Sequence, residues 1–215
     1  MSPKKNQIKK ISVVVPVFCE SEVLNTTYNA LSNHLRQLKD YQHEIIFVDD
    51  GSTDNSLDII KNIDDPHVQF VSFSRNFGHQ LALLAGYKKA SGDCVVTIDA
   101  DLQDPPEVIR DMVNAWALGN DVVIAQRLLR KGESLFKRFS AYVFYRCLKV
   151  LVDIPIVLDA GDFRLLDKKV VDALVGIKEK KPFLRGIVPW LGFKSTVVRY
   201  ERDQRLAGTT KYPLK

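Results

Sequence analysis

Two pairs of acidic residues each follow a run of β-branched and other apolar residues that is typical of a buried strand. Asp49 and Asp50 form the first acidic pair, and Asp99 and Asp101 form the second. Ligands of parallel α/β sheets bind beyond the carboxyl ends of the strands, so we expect both pairs to face one crevice. Carboxylate oxygens suit Mg²⁺ or Mn²⁺, and such ions are usually held by one or two carboxylates together with substrate phosphates. The sequence therefore predicts a divalent metal and a nucleotide diphosphate in this crevice.

Simpler roles remain open for the same residues. The first acidic pair precedes Gly51, and because Asp-Gly is a common turn dipeptide, these residues could merely cap a turn. The second pair could belong to a loop or to a helix N-cap. Gln103 and Asp104 place further oxygen atoms close to the second pair, which favours the metal site over a simple loop.

Apolar periodicity predicts strands and helices that alternate along the first 125 residues. The expected strands are 11–17, 44–48, 68–73, 94–98 and 122–125. The expected helices are 56–63, 79–90, 107–118 and one that is N-capped by Ser21 and extends to Leu38. Such alternation implies right-handed crossovers, and therefore an α/β fold with a mainly parallel central sheet flanked by helices.

The pattern changes after Gln126. A basic loop leads into an amphipathic helix at 134–152, whose aromatic face could be core or a lipid groove. A short strand at 163–166, a helix at 168–176, an apolar segment at 183–193 and a strand at 195–202 follow. Because the sequence shows no internal repeat and no low-complexity linker, we expect one domain at 11–215 behind a disordered basic tail at 1–10.

Charge is divided unevenly along the chain, whose formal net charge is +5. Residues 1–125 carry 11 Lys and Arg against 17 Asp and Glu, whereas residues 126–215 carry 20 against 9. An uneven but solvated surface would give the same counts. The functional interpretation is that the second part meets polyanions such as phosphates or acidic lipid head groups. We do not expect nucleic acid, because the sequence has no recognition signature such as zinc-finger spacing.

The cysteines and the apolar segments exclude several other classes of protein. Cys19, Cys94 and Cys147 are odd in number and form no Cys-x-x-Cys motif, which argues against a disulfide framework and against a zinc site. The apolar run after the basic start is interrupted at Pro16, so it does not resemble a secretory signal. No stretch approaches the ~20 apolar residues that a bilayer-spanning helix needs. We therefore expect a soluble or peripheral domain in a reducing compartment.

The glycine-rich loops of dinucleotide-binding and P-loop proteins are missing from this α/β pattern. Instead, three segments together resemble the family 2 glycosyltransferases, namely Val15-Pro16-Val17 with Glu20, the segment 48–52 and the segment 99–107. This resemblance implies the nucleotide-diphospho-sugar transferase (GT-A type) fold, a nucleotide-sugar donor and a divalent metal.

Later motifs, at 130–134, 161–165, 183–186 and 208–212, resemble the polyprenyl-phosphate branch of that family. This branch includes bactoprenol glucosyltransferases and dolichyl-phosphate mannose synthases. The resemblance implies a nucleotide-sugar and metal part at 11–125 and an acceptor and membrane-facing part at 126–215. Bacterial enzymes of the branch usually continue into two transmembrane helices where this sequence stops, so we expect either a truncated catalytic domain or a naturally peripheral form. The resemblance also implies a location at the cytoplasmic face of the cell membrane.

The resemblance assigns roles on the donor side of the crevice. The residues that would bind the nucleotide sugar are Pro16, Val17, Glu20, Asp49, Asp50, Ser52, Arg75, Asp99 and Ala100. Asp101 and Gln103, with Asp99 nearby, would hold the metal that bridges the diphosphate. Arg75 could instead be a surface charge, and we expect His79 only to start a helix.

Basic residues beside the expected metal and diphosphate are candidates for the acceptor side of the crevice, because an acceptor that carries phosphate needs cationic partners. The residues that would bind the acceptor phosphate are Arg127, Lys131, Ser134, Lys137, Arg138, Arg205 and Lys211. Arg offers a bidentate fork and Lys a point charge, although these residues could also be solvated. The candidate catalytic residues are Asp101 and Asp162, and the resemblance makes Asp162 the candidate base. A phosphate monoester is already largely ionised above a pKa of about 6, so Asp162 could orient the acceptor rather than take its proton.

We therefore expect an inverting glycosyltransferase that uses Mg²⁺ or Mn²⁺ and moves a hexose, with UDP-glucose as the expected donor, onto polyprenyl phosphate at an anionic membrane surface. A homo-oligomer is compatible with the sequence. One alternative is a family 2 transferase that acts on a sugar hydroxyl in polysaccharide synthesis, which would need a true base. Another is a non-catalytic nucleotide-sugar-binding module, which would have lost the metal ligands that this sequence keeps.

Overall fold

A seven-stranded sheet organises the part of the chain that the structure, a computed structural model, describes: residues 8–128, 160–180 and 182–201. The strands are β1 (Lys10–Val17), β2 (Gln42–Asp49), β3 (Val68–Ser72), β4 (Cys94–Thr97), β5 (Val122–Arg127), β6 (Ala160–Asp167) and β7 (Ser195–Tyr200). The helices of this part are α1 (Leu24–Leu35), α2 (Ser56–Lys61), α3 (His79–Lys89), α4 (Val108–Ala117), α5 (Lys168–Val175) and α6 (Leu184–Trp190).

The strand order is β3-β2-β1-β4-β6-β5-β7, and β6 is the one described strand that runs against its neighbours. All other pairs are parallel, as expected from the alternating pattern. The carboxyl ends of β1, β2 and β4 therefore meet at one edge of the sheet. Because β6 is reversed, its amino end reaches the same edge, and Thr97 of β4 lies opposite Arg164 of β6.

Helices cover both faces of the sheet. Side chains of α1, α2 and α4 pack on one face, and side chains of α3, α5 and α6 pack on the other. Alternate residues of β1 enter the two clusters, with Val13 in one and Val14 in the other. Burial on both faces explains why β1 is a continuous apolar run rather than an alternating one.

The expected strands and helices of the described residues are present, with small differences at their ends. The expected N-cap at Ser21 is wrong: α1 begins at Leu24 with Val23 at its N-cap position. The backbone N–H of Ser21 instead donates to the Asp54 carboxylate at 3.1 Å, so this segment is tied to the loop after β2. The apolar segment at 183–193 contains α6. The expected helix at 134–152 and most of the tail at 1–10 lie outside the described residues.

A buried carboxylate joins the strands at the end of the sheet opposite to the acidic pairs. Glu44 of β2 is 1% exposed and accepts hydrogen bonds from Lys10 Nζ at 2.7 Å, from the Ser12 hydroxyl and from the Ser91 backbone N–H at 2.8 Å. Burial by itself raises the pKa of Glu44, but these hydrogen bonds outweigh it and hold the pKa below its ordinary value. The charged form of Glu44 therefore stabilises the fold.

We expect Glu44→Gln to lower the free energy of unfolding by about 1–3 kcal/mol at pH 7, because a carboxylate that accepts several hydrogen bonds is replaced by a neutral amide. A depressed native pKa stabilises the fold above the unfolded pKa of about 4.3 and loses this contribution as the pH falls through the native value. The difference from wild type in urea unfolding should therefore shrink below pH 4. Glu22→Gln, at an exposed position, is the control. A difference that stays constant with pH would contradict this role.

Candidate active site

A cleft of about 770 Å³ opens at the edge of the sheet where β1, β2 and β4 end. This volume lies within the usual range for small-molecule sites. Six of the residues predicted to bind a nucleotide sugar line it, namely Pro16, Val17, Glu20, Asp50, Asp99 and Ala100. Asp101 lines it as well. The two acidic pairs therefore contribute to one crevice, as their positions after the strands predict.

Asp49 and Ser52 serve the loop after β2. The Asp49 carboxylate accepts the Ser52 backbone N–H at 3.1 Å and the Ser72 hydroxyl at 3.0 Å. The Ser52 hydroxyl accepts the Cys19 backbone N–H at 2.9 Å. Asp49 thus closes the turn and links β2 to β3, which is the simpler of its two expected roles. A contact of Asp49 or Ser52 with a nucleotide sugar stays a prediction.

Arg75 borders a neighbouring cavity of about 650 Å³. Its guanidinium lies 4.2 Å from the centre of the Phe77 ring, a cation–π contact. Its backbone packs against Gly51, where a Cβ atom would come within 2.3 Å of the Arg75 carbonyl carbon. With φ at +69°, Gly51 therefore needs to be glycine for both reasons. The predicted contact of Arg75 with the donor stays a prediction.

Asp50 shapes the chain that leads into α3. One carboxylate oxygen accepts the Phe77 backbone N–H at 2.7 Å, and the other accepts the Gly78 backbone N–H at 2.9 Å. Gly78 has φ at +101°, a conformation that suits glycine. This clamp sets the direction in which α3 begins, and it places His79 in the cleft.

Four side chains converge on the carboxylate of Asp162, whose side chain is 1% exposed. Oδ1 accepts from Arg164 Nη2 at 2.6 Å. Oδ2 accepts from Arg185 Nη2 at 2.8 Å and Nε at 3.1 Å, and from Gln80 Nε2 at 3.2 Å. His79 Nε2 lies 3.1 Å from the same oxygen, and because an ionised carboxylate only accepts, this nitrogen carries the hydrogen. The chain thus surrounds Asp162 with donors.

These contacts decide the protonation of the centre. Burial raises the pKa of Asp162, but the hydrogen bonds from His79 and Arg185 and the charge of Arg164 outweigh it, so the pKa is well below the usual range. Burial lowers the pKa of His79, but the hydrogen bond to Asp162 and the charge of Asp99 raise it above its ordinary value. Asp162 is therefore a stable anion and a poor proton acceptor.

His79 and Arg185 carry no catalytic or binding signal in the sequence pattern, although Arg185 stands in one of the motifs that carry the resemblance. His79 is 83 residues from Asp162 along the chain, and Arg185 is 23 residues away. The local pattern shows His79 as a helix start and Arg185 as a charge within an apolar segment. Only the reversal of β6 and the packing of α3 and α6 on one face bring them to the same carboxylate.

Negative charge accumulates around the second acidic pair. The side chain of Asp99 is 38% exposed to the cleft, and His79 Nε2 lies 4.0 Å from its Oδ1. Desolvation within the cleft, opposed by His79 and assisted by the charges of Asp104 and Asp101, raises the pKa of Asp99 to about 6. Asp101 Oδ1 accepts the Gln103 backbone N–H at 3.1 Å, which holds Asp101 in the loop after β4. This part of the cleft is therefore suited to a cation.

The donor set fits a metal ion that shares its coordination with a substrate. Within the described residues no group of three or more His, Cys, Asp or Glu side chains forms a ready metal cage. Mg²⁺ usually takes only one or two carboxylates and completes its shell with substrate phosphates and water. Asp99 and Asp101 match that requirement when a diphosphate supplies the remaining oxygens.

Arg127, at the end of β5, lies next to the chain at Gly161, the residue before Asp162. Its Nη2 is 3.4 Å from Asp104, and its Nε donates to the Tyr200 hydroxyl at 3.1 Å. Tyr200 in turn donates to Asp104. A Cβ atom on Gly161 would come within 3.0 Å of Arg127 Nη2, so the guanidinium lies next to the chain that carries Asp162. The Arg127 side chain is 30% exposed, and a contact of Arg127 with the acceptor phosphate stays a prediction.

The other predicted acceptor residues lie outside the described residues, namely Lys131, Ser134, Lys137, Arg138, Arg205 and Lys211. None of the helices that the structure describes has both the length and the apolar content needed to cross a bilayer.

Curated relatives are similar in sequence over most of this chain. YkcC of Bacillus subtilis strain 168, an uncharacterized glycosyltransferase, is 52% identical over 206 residues, which are 95% of this chain and 64% of YkcC. The bactoprenol glucosyl transferase of Shigella phage SfV is 42% identical over 205 residues, which are 94% of this chain and 66% of that protein. The prophage bactoprenol glucosyl transferase homolog of Escherichia coli K12 is 41% identical over 205 residues, 94% of this chain and 67% of that protein. This chain spans about two thirds of the length of these relatives.

Solved structures share the fold. A mannosyltransferase from Pyrobaculum calidifontis, in complex with GDP-Man and Mn²⁺, is 17% identical with a TM-score of 0.63, over 90% of this chain and 56% of that one. Glucosyl-3-phosphoglycerate synthase from Mycobacterium tuberculosis, in complex with Mn²⁺, UDP-glucose and phosphoglyceric acid, is 22% identical with a TM-score of 0.56, over 75% of this chain and 57% of that one. These similarities confirm the expected GT-A type fold.

The model of the family "Glycosyl transferase family 2" matches residues 12–175, a span that contains both acidic pairs and Asp162. This match and the similarity to the bactoprenol glucosyl transferases confirm the resemblance carried by the sequence motifs. The chain belongs to glycosyltransferase family 2.

Proposed function

We propose that this chain is the catalytic domain of an enzyme that transfers a hexose from a nucleotide sugar to the phosphate of a polyprenyl phosphate. The observation that carries the proposal is the state of Asp162. Its carboxylate is buried and surrounded by four donor side chains, so it is badly suited to remove a proton. A phosphate acceptor, which is already largely ionised above a pKa of about 6, does not need a base. A sugar hydroxyl would need one.

The donor side of the proposal rests on the cleft and on the relatives. Glucose from UDP-glucose is the proposed donor group, because the relatives from Shigella phage SfV and Escherichia coli K12 described above are named as a glucosyl transferase and its homolog. Asp99 and Asp101, with Gln103 beside them, would hold Mg²⁺ or Mn²⁺, and the ion would stabilise the charge on the departing diphosphate. Pro16, Val17 and Glu20 line the cleft and would receive the nucleotide.

On the acceptor side, Arg127 and the basic residues that follow it would bind the phosphate that attacks the sugar. Asp162 would stay charged throughout, and its role would be to hold the groups around it. Attack by the acceptor phosphate from the side opposite to the diphosphate is an in-line displacement, which inverts the configuration at the sugar carbon.

The test of this function is a transfer assay with short polyprenyl phosphate, Mn²⁺ and one of three donors: UDP-glucose, UDP-N-acetylglucosamine or GDP-mannose. We expect the lipid product from UDP-glucose to gain the mass of one hexose, and we expect free polyprenol to stay unchanged, because its hydroxyl is not ionised. Transfer to polyprenol or to an oligosaccharide, with none to the phosphate, would refute the proposal.

A carboxylate variant tests the metal site in the same assay, and a second carboxylate variant is its matched control. Asp101→Asn keeps the size of the side chain and can still accept the Gln103 backbone N–H, but it removes the charge that would face the ion. We expect product formation to be nearly abolished and Mn²⁺-dependent UDP binding, measured by calorimetry, to be lost. Asp111→Asn, on the exposed side of α4, should behave as wild type.

The pH dependence of transfer separates an orienting role of Asp162 from a basic one. If Asp162 took a proton, Asp162→Asn would cost about 10²–10⁴-fold in rate and would remove an ionisation from the pH–rate profile. We expect a smaller loss, because the acceptor is already ionised, and a profile that stays flat above about pH 6 in both proteins. Thermal unfolding must accompany the assay, since Arg164 is buried beside Asp162. A thousandfold loss in the folded variant, with a vanished ionisation, would restore Asp162 as the base.

We also propose that the chain works at the cytoplasmic face of the cell membrane, supported by the excess of 20 Lys and Arg over 9 Asp and Glu in residues 126–215. Each Lys or Arg near an anionic surface contributes ~1 kcal/mol, and salt screens this attraction. The chain should therefore sediment with anionic vesicles at low salt, less so at high salt, and only weakly with neutral vesicles. Equal sedimentation with both kinds of vesicle would contradict electrostatic binding.

A further inference from the structure

Arg185 presents a guanidinium at the surface of the cleft. It lies in the first turn of α6, its side chain is 50% exposed, and it lines the cleft together with the acidic residues. Asp162, to which it is bound, is 1% exposed. A ligand in the cleft would therefore meet Arg185 rather than the carboxylate behind it.

Part of the guanidinium is left for a ligand. Arginine has five N–H donors in a planar fork. Two of them, on Nε and Nη2, donate to Asp162 Oδ2 at 3.1 and 2.8 Å, and no other acceptor in the described part of the chain takes a hydrogen bond from this group. Three N–H groups remain, and a planar edge of this kind matches two oxygens of a phosphate.

The guanidinium is held in a fixed orientation before any ligand arrives. Asp162, which anchors it, is itself bound by Arg164 and Gln80. The Gln80 side-chain oxygen also accepts the backbone N–H of Leu184 at 3.0 Å, and this contact ties the start of α6 to α3. A side chain that is already ordered loses little conformational entropy on binding.

The charges that line the cleft favour this role for Arg185. Among the described residues that line it, Arg185 is the one Lys or Arg side chain, while Glu20, Asp50, Asp99 and Asp101 are acidic. The phosphate groups of either substrate are anions that must be balanced within this cleft. A metal at Asp99 and Asp101 would neutralise part of the phosphate charge, and the Arg185 guanidinium can neutralise another part.

We propose that Arg185 is a phosphate-binding residue of the cleft and that Asp162 is the positioning residue that aims its guanidinium. This inference rests on the proposed function, because the phosphate belongs either to the nucleotide-sugar diphosphate or to the polyprenyl phosphate. Asp162 thus acts through Arg185, and the charge that it keeps is what holds the donor in place.

The test compares Arg185→Gln and Arg185→Lys with Arg110→Gln, a change on the exposed side of α4. Calorimetry measures binding of UDP, with and without Mn²⁺, and of uridine, which has no phosphate. Steady-state kinetics measures KM for UDP-glucose and for polyprenyl phosphate. Arg185→Gln loses a charge-assisted hydrogen bond to the phosphate. The affinity for the ligand that carries this phosphate should therefore fall about 10- to 100-fold, and uridine binding should stay unchanged. Arg185→Lys should lie between this variant and wild type, because Lys keeps the charge without the fork.

The arms of the experiment identify the source of the phosphate. Weaker UDP binding assigns Arg185 to the donor diphosphate, whereas unchanged UDP binding with a raised KM for polyprenyl phosphate assigns it to the acceptor. Asp162→Asn should raise the same quantity as Arg185→Gln, either the Kd for UDP or the KM for polyprenyl phosphate, because it releases the Arg185 guanidinium. A general structural defect would instead weaken uridine and UDP alike, and that result would overturn the proposal.

The result also separates this inference from the proposed function. If wild type transfers hexose to polyprenyl phosphate and Arg185→Gln and Arg185→Lys change neither UDP affinity nor either KM, Arg185 is not a phosphate ligand and the function stands. If wild type shows no such transfer and Arg185→Gln still weakens UDP binding, the function is wrong and the phosphate site stands.

Discussion

The carboxylate of Asp162 is the interaction on which the site depends. It joins β6 to the start of α3 through His79 and Gln80, and to α6 through Arg185. Removing one partner of a buried ion pair costs roughly 3–5 kcal/mol, because the remaining charge is left uncompensated. Asp162 and Arg164, both inside the protein, therefore stabilise each other. The elements β6, α3 and α6 therefore share this single anchor.

The reversed strand β6 makes that anchor possible. In an all-parallel sheet, a residue near the amino end of a strand would lie at the far edge, away from the loops that follow β1, β2 and β4. Because β6 runs against β4, Asp162 near its start reaches the same edge as Asp99. The mixed sheet thus brings an anion with its cationic partners to an edge where the loop after β4 supplies carboxylates.

The cleft brings carboxylates and cationic side chains together. Asp99 and Asp101 form a side that suits a cation, and the raised pKa of Asp99 reflects the desolvation and crowding of carboxylates there. Arg185 and His79 supply donor groups to the same cleft, with His79 Nε2 4.0 Å from Asp99 Oδ1, and Asp162 holds both side chains. A substrate that carries phosphate groups needs an arrangement of this kind, with the carboxylates facing a metal ion and the guanidinium facing phosphate oxygens.

Periodicity and residue type alone determined the order of strands and helices, the parallel character of β1 to β4 and the crevice that contains Asp50, Asp99 and Asp101, because these follow from local patterns and from where strands end. Motif resemblance singled out Asp162. What tertiary structure decided was the state of that residue. The partners of Asp162 come from α3 and α6, far along the chain, and only packing of these helices on one face of the sheet brings them together. For the same reason, the local pattern could show His79 as a helix start and not as a donor to a buried carboxylate 83 residues away.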